Sequence, residues 1–344
     1  MQTESDDMLV SMFARMLREQ HPVSYARARH TLDEPAHAAM WTGLAEGGWL
    51  DIGNAGVDEG DSAQVLGIGE TLGRTLLTLP LGFCAYVLWP LGEAVPELMA
   101  SGTVLPLDQF PASGRIDTGV HDGRFVDYYG RRVHYYRVAP CDADRARWVI
   151  QRYDGADVDV VDSLDACVAL GRLPDAAPAA QCEFSVPPGQ MSTVLRRALA
   201  LGLAEMVGAA SASLDMAIAY AQERRQFGRL IGQYQAIKHP LANAWVALDN
   251  GRYAIRQLLA EAAAGGATGS GIEQTANRLV TSAATQATRL TIQVHGGIGF
   301  AWEHDAHLFL KRVYRIAMRT RTLAAMLGGA GARCYEPASY EPAL

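Results

Sequence analysis

The sequence predicts an α+β fold in three parts. An N-terminal helical domain covers residues 1–101, a reduced antiparallel β domain covers 102–186, and a C-terminal four-helix bundle covers 187–336, with a tail at 337–344. Three observations carry this. Apolar residues recur at helical spacing at both ends of the chain, the middle turns to β-branched and aromatic runs, and four long amphipathic stripes close the sequence. At 344 residues and 49% hydrophobic content, the chain is long enough to bury a large core and to divide into two or three domains.

In the first part, Met8, Met12, Phe13, Met16 and Leu17 share a helical period. The run Trp41-Thr-Gly-Leu-Ala-Glu-Gly-Gly-Trp49 reads as a helix end followed by a turn. Leu76–Leu91 is strongly apolar but short, is interrupted by Pro80 and has Glu70 and Arg74 close by, so it predicts a buried helix rather than a membrane span. In the second part, Val126–Val138 and Trp148–Tyr153 are rich in β-formers, with Gly, Asp and Pro between the runs.

The third part holds the stripes. Leu199, Leu203, Met206, Val207, Ala210, Leu214, Ala217 and Ile218 form the first; Ile237, Leu241, Ala244, Trp245, Leu248, Ile255 and Leu258 the second. Ala276, Leu279, Ala283, Ala287 and Leu290 form the third; Phe309, Val313, Ile316, Leu323 and Met326 the fourth. Short connections, apart from the Gly-rich stretch Ala262–Gly271, make these a four-helix bundle.

A net charge of −7 argues against nucleic acid as a bulk-electrostatic partner. Cys84, Cys141, Cys167, Cys182 and Cys334 are odd in number, scattered, and include no C-x-x-C, which predicts reduced thiols in a cytoplasmic protein and no zinc site. The acidic start Met-Gln-Thr-Glu-Ser-Asp-Asp lacks the pattern of a signal peptide, and no membrane association is expected.

Two motifs carry chemistry. Gln293-Val-His-Gly-Gly-Ile-Gly-Phe300 places two adjacent glycines and a third between apolar helical stretches, a turn whose backbone amides can approach a phosphate. Alone it reads more readily as a helix C-cap. It is paired with Arg224-Arg-Gln-Phe227-Gly228 upstream. Together with Asp215–Gly232 and Tyr234–His239, these motifs resemble the C-terminal domain of the flavin-dependent acyl-CoA dehydrogenases. The resemblance is strong from about Leu195 to Lys311 and weaker before that, where W-x-x-L-A-x-x-G-W (Trp41–Trp49) and E-x-x-G-R (Glu70–Arg74) are further echoes.

The resemblance implies FAD as cofactor and an acyl-CoA as substrate, oxidised to the trans-2-enoyl-CoA. It also implies an electron-transfer flavoprotein or similar acceptor. In that family the arginine and phenylalanine of R-x-x-F-G hold the FAD pyrophosphate and adenine. The Q-x-x-G-G turn supports the same ADP half, and both reach across the subunit interface into the neighbour's flavin. Carried over, this implicates Arg224, Phe227, Gln293, Gly296 and Gly297.

The family's catalytic base is a Glu on the last helices of the bundle, and ungapped counting from Phe300 puts Thr320 there, facing inward with Val313, Ile316 and Leu323. A minority of members carry it at the start of the first bundle helix, where Ala198 stands. Neither residue is a carboxylate, so no catalytic residue is assigned. Glu205, two turns along that helix, is expected to be structural. Glu303 and Asp305 are expected to cap the next helix. His295 and His304 are expected beside the site or at an interface, since two histidines without a third ligand make no metal centre.

The family's Thr-Glu-Pro-x-x-Gly-Ser-Asp run and Trp-Ile-(Ser/Thr) strand, which hold the flavin ring, do not occur; Trp148-Val-Ile150 is a superficial echo. The resemblance therefore implies that the chain keeps the half-site that reaches into a neighbour's flavin and lacks the half-site for its own. This pattern, with Gly297-Ile-Gly-Phe-Ala-Trp-Glu-His-Asp-Ala-His-Leu308, resembles the small subunits of the heterotetrameric (α2β2) acyl-CoA dehydrogenases of actinobacterial steroid degradation. The expected role is a helper subunit to a homologous larger partner acting on an acyl-CoA, with a sterol side-chain thioester as the substrate class. Two other readings stay open: a stand-alone acyl-CoA dehydrogenase with an unusual base such as Glu205, and a non-catalytic assembly scaffold.

Overall fold

The computed structural model describes residues 2–53, 59–106, 111–116, 125–142, 145–264 and 271–328. The tail at 337–344 and Cys334 lie outside them. Helices α1 (Gln2–Gln20), α2 (Val23–Arg27), α3 (Pro35–Glu46) and α4 (Glu59–Thr75) open the chain. α1 buries Phe13 and Leu17 and seats Val10 against Gly67 of α4. That contact face leaves Met8 and Met12 exposed, contrary to the sequence pattern, because positions two residues from Val10 lie about 200° round the helix. α3 starts on Pro35 and stops at Gly47, where Gly48 turns left-handed (φ +75) and the Trp49 N–H closes back on the Leu44 carbonyl at 3.1 Å.

The Leu76–Leu91 stretch is buried as expected but is not one helix. Leu76 turns left-handed (φ +51), Pro80 precedes α5 (Leu81–Phe83), a π turn over Cys84–Leu88 follows, and α6 (Trp89–Ala94) and α7 (Pro96–Ala100) complete the region.

Among the described residues of the middle part, seven strands make two sheets: β1 (Ala112–Ile116), β2 (Phe125–Tyr128), β3 (His134–Pro140), β4 (Arg147–Asp154), β5 (Asp159–Val161), β6 (Ala169–Arg172) and β7 (Ala180–Ser185). One sheet has the order β1-β3-β4-β7, the other β2-β6-β5. All pairings within them are antiparallel except β1 with β3, which run parallel because the chain passes through β2 in the other sheet between them. The Val126–Val138 run is thus two strands. It breaks at Gly130, where Asp33 accepts the Arg131 and Arg132 backbone N–H groups at 2.8–3.0 Å.

The bundle comprises α8 (Pro188–Glu223), α9 (Gln235–Ala263), α10 (Ile272–His295) and α11 (Ala306–Leu327). α8 is the one described helix long and apolar enough to cross a membrane, but 78% of its apolar window is buried inside the protein, as for a core helix. It crosses α4 backbone to backbone: a Cβ on Gly73 would stand 1.9 Å from the Glu205 carbonyl oxygen, and one on Gly208 2.0 Å from that of Glu70. Around this crossing Glu70 pairs with Arg252 (2.7 Å) and Arg74 with Asp215 (2.8 Å). The E-x-x-G-R echo therefore ties the N-terminal helices to the bundle. Trp245 (55% exposed) and Leu279 (45%) depart from the predicted stripes. Each lies one residue, about 100°, from the inward-facing Ala244 and Val280.

Candidate functional site

The R-x-x-F-G segment leaves the end of α8 as a two-stranded ribbon, β8 (Arg225–Gln226) with β9 (Arg229–Leu230). Its two-residue turn, Phe227 (φ +50) and Gly228 (φ +80), is left-handed at both positions, matching the strand twist of a tight hairpin. Such a φ is costly for a phenylalanine. The ribbon is braced by the Tyr234 hydroxyl, which donates to the Gln226 carbonyl at 3.2 Å, and by the Arg229 guanidinium over the Tyr234 ring at 3.9 Å. Every residue from Gln222 to Arg229 is exposed, and the Phe227 side chain is 92% exposed.

The glycine turn ends α10. Gly296 takes φ +65 with ψ −141, a region only glycine occupies readily, and residues Gly296–Phe300 form a short 3-10 turn. Gly299 is needed for packing, because a Cβ there would sit 3.1 Å from the Ile292 backbone. Gly297 is different. Its φ is ordinary and a Cβ would meet nothing within 4 Å, so nothing among the described residues demands glycine at that position. Gln293, Gly296, Gly297, Ile298 and Phe300 are all exposed.

The two motifs share one end of the bundle. The Tyr220 ring, on the last turn of α8, stacks on His295 at 4.5 Å, and His295 in turn contacts His304 at 4.4 Å. His295 donates Nδ1–H to the Thr291 carbonyl at 2.8 Å. The helix cap is not the one expected. His304 Nδ1 accepts the Ala306 N–H at 3.1 Å, whereas Asp305, at the N-cap position, makes no cap bond and instead takes the Arg27 guanidinium. Glu303 offers only its carbonyl to the same arginine, at 3.0 Å. Burial, then the neighbouring His295, lowers the His304 pKa, which favours the neutral imidazole that can accept. Tyr220 and Arg27 were not singled out by sequence; Tyr220 sits four residues before Arg224, on the helix leading into the motif.

The candidate base positions behave otherwise. Thr320 is 1% exposed; its hydroxyl donates to the Ala317 carbonyl and its methyl fills the space beside Gly202. Ala198 is half-buried on α8. Glu205 is held by Arg312 (3.3 Å) and Arg319 (3.9 Å). It belongs to an ionic network that sequence reading missed. Asp165 faces Arg312 (2.6 Å) and Arg315 (2.9 Å), and Asp127 on β2 faces Arg315 and Arg319, both at 2.6 Å. Arg312, completely buried, also donates to the Leu76 and Leu77 carbonyls at 3.1 and 3.2 Å. Burial pushes the Asp127 carboxyl up, but Arg315 and Arg319 outweigh it and bring it down to about 2. The same balance of burial against Arg312 and Arg315 lowers Asp165. Arg312 and Arg315, beside Val313 and Ile316 of the fourth apolar stripe, were the signal that could have revealed the network, since buried arginines are almost always paired.

Two parts of the chain bear differently on FAD. The exposed ribbon and glycine turn suit the ADP half: a guanidinium for phosphate, a free aromatic face, and backbone amides reached without a Cβ in the way. Among the described residues, the contact of β2 with α11 leaves no room for the ring. A planar ring stacked between two surfaces needs roughly 7 Å, about 3.5 Å on each face, and here β2 meets α11 through contacts of 2.6 Å. Trp148 and Ile150 on β4 lie in the core, with the Trp148 ring N–H donating to Arg145. A nearby cavity bordered by Arg29, Thr78, Tyr128, Cys167 and Val168 measures about 130 Å³, against the ~300–1,000 Å³ of typical ligand pockets.

Comparison with known proteins agrees with this architecture. Residues 191–332 match the family model described as "Acyl-CoA dehydrogenase, C-terminal domain". The chain is 30% identical over 266 residues to acyl-CoA dehydrogenase IpdE2 of Mycolicibacterium smegmatis, covering 77% of this chain and 75% of that protein. Among solved structures, the ChsE4–ChsE5 complex from Mycobacterium tuberculosis superposes with a TM-score of 0.69 at 17% identity, covering 94% of this chain and 95% of that one. A Tcur3481–Tcur3483 steroid ACAD variant gives 0.68 at 19% identity, covering 96% and 95%.

Proposed function

This chain belongs to the acyl-CoA dehydrogenase family, and from that premise we propose that it is the helper subunit of a heteromeric FAD-dependent acyl-CoA dehydrogenase. It supplies the ADP-binding half of a partner's FAD site. A homologous larger subunit supplies the ring-binding half and the catalytic base, in an α2β2 assembly. Bound FAD supplies hydride acceptance for α,β-dehydrogenation of the acyl-CoA. The observation that carries the reading is one contrast within one chain: the clamp is open and exposed, while the junction that would take a flavin ring is bridged by ion pairs at 2.6 Å.

In this reading Arg224 engages the pyrophosphate through charge-assisted hydrogen bonds and Phe227 offers its ring to the adenine. Gln293 and the backbone at Gly296 and Gly297 support the same half. Gly297 gains a reason to be glycine, since a neighbour's cofactor approaches where its own chain leaves open space. Glu205, held by two arginines, positions helices rather than protons, so this subunit alone is inactive. The ChsE4–ChsE5 complex and the steroid ACAD among the structural relatives support a two-chain assembly and a sterol side-chain CoA thioester as the acyl class. An electron-transfer flavoprotein or similar protein reoxidises the complex, which works in the cytoplasm.

The test is to purify the chain alone and together with a co-produced larger homologue carrying the Thr-Glu-Pro run, and to read flavin absorbance of each. The expected result is colourless alone and yellow together, with one FAD per pair of unlike subunits. A yellow chain on its own overturns the proposal.

A further inference from the structure

The loop between the glycine turn and α11 is held from outside the bundle. Its own backbone bonds are short-range: Ala301 N–H to Ile298, His304 N–H to Ala301 and Leu308 N–H to Asp305, all near 3.0 Å. The long-range tie is Arg27, the last residue of α2. One Nη donates to the Trp302 carbonyl; the other donates to the Glu303 carbonyl at 3.0 Å and meets the Asp305 carboxylate. Three acceptors on four consecutive residues converge on one guanidinium, a planar fork that lysine cannot reproduce.

The support behind Arg27 is firm. Ala26 is fully buried, and Tyr25 stacks on His30 at 4.0 Å and donates to His37 Nδ1 at 3.3 Å. Two residues on, Arg29 donates to the Ala166 carbonyl at 2.9 Å, tying the same segment to the sheet region. Tyr220 and His295 hold the near side of the turn and Arg27 holds its far side, so Gly296, Gly297 and Phe300 stand between two anchored points.

We propose that Arg27 is a positioning residue of the shared flavin half-site: from the N-terminal helices it fixes residues 302–305, and thereby the glycine turn that faces the partner's cofactor. This rests on the helper-subunit reading above. It adds that docking of the N-terminal helices, not the bundle alone, sets the clamp geometry.

The experiment compares co-purified complexes carrying wild-type chain, Arg27→Ala, Arg27→Lys and Arg224→Ala. The readouts are FAD dissociation rate by flavin fluorescence and the melting temperature of each variant chain alone. Arg27→Ala is expected to release FAD about tenfold faster, corresponding to ~1.4 kcal/mol of clamp geometry, with Arg27→Lys between it and wild type. A bleached Arg224→Ala complex beside an Arg27→Ala complex that releases FAD at the wild-type rate overturns the Arg27 assignment alone. So does a fall in Arg27→Ala melting temperature with no change in release. If both variants retain FAD like wild type, the half-site reading falls and this inference with it. Should Arg27→Ala fail to fold, Arg27→Lys decides: accelerated release supports the assignment and wild-type release overturns it.

Discussion

Replacing Asp127 with Asn is the sharpest probe of the closed junction. The substitution conserves volume and removes the charge that Arg315 and Arg319 both face at 2.6 Å. Two routes give the magnitude. Lowering the Asp127 carboxyl from 3.8 to about 2 is worth roughly 2 kcal/mol, at ~1.36 kcal/mol per pH unit. Leaving a buried charge without its partner costs ~3–5 kcal/mol. Arg315 keeps Asp165 at 2.9 Å, and Arg319 is half in solvent, which places the expected loss at the lower end, ~2–4 kcal/mol.

The pH dependence fixes the cause. The folded-state pKa is depressed, so the stabilisation is complete above the ordinary carboxylate value and is lost as pH falls toward 2. The gap between wild type and Asp127→Asn should therefore be full at neutral pH and narrow from about pH 4 downward. Urea unfolding followed by tryptophan fluorescence, at neutral pH and across the acid range, measures both. A gap at neutral pH no larger than the ~0.5 kcal/mol of an ordinary surface substitution would show that the ionic bridge does not hold the junction shut.

Three further outcomes follow from the geometry. Phe227→Gly should leave the chain as stable or more stable, by up to ~1 kcal/mol, because it relieves a left-handed non-glycine residue whose ring is in water, while FAD retention in the complex falls; paired thermal melts and flavin absorbance read the two effects separately. Gly297→Ala should fold with an unchanged melting temperature, since its Cβ meets nothing within 4 Å, yet weaken FAD binding in the complex; equal FAD affinity would refute the ligand-facing role of that glycine. Burial, then His37, lowers His21 to about 4, so the unfolded chain takes up the proton first and stability falls as pH drops from about 6.5 toward 4, by roughly 3 kcal/mol at ~1.36 kcal/mol per unit; unfolding midpoints in that window should fall less steeply for His21→Gln.

What the sequence revealed was what local periodicity encodes. The end of α3 was legible because Gly47-Gly48 is a short-range signal, and the bundle because each of its helices repeats an apolar period over many turns. The ribbon end of α8 was legible as a motif, although its left-handed Phe227 was not. The ionic network was hidden because Asp127 and Asp165 lie far along the chain from Arg312, Arg315 and Arg319, and no period links a strand residue to a helix stripe in another unit. Arg27 was hidden for the same reason. The Val126–Val138 run misled because both halves have β-forming composition; only Gly130 and the Asp33 contact divide it between two sheets. Asp305 was read as a cap because its position is one, but a guanidinium competes for that carboxylate better than a backbone amide does, and His304 takes the cap instead.

α11 connects the glycine turn to the ionic network. Its first residues follow the glycine turn, held by Arg27, and two turns later the same helix presents Arg312, Arg315 and Arg319 to the sheet and to Glu205. A helix carrying a catalytic carboxylate on this face would need open space before it for cofactor and substrate. This one carries buried cations instead, and buried cations require anions in contact. Asp127, Asp165 and Glu205 counter their charge, bringing β2, the segment before β6 and α8 onto α11. These ion pairs brace the helix whose N-terminal end follows the glycine turn, the turn assigned to the ADP half in the proposal. Under the helper-subunit proposal, a chain without its own ring pocket uses those walls as a brace, and the exposed ribbon and glycine turn are the surface expected to face the partner.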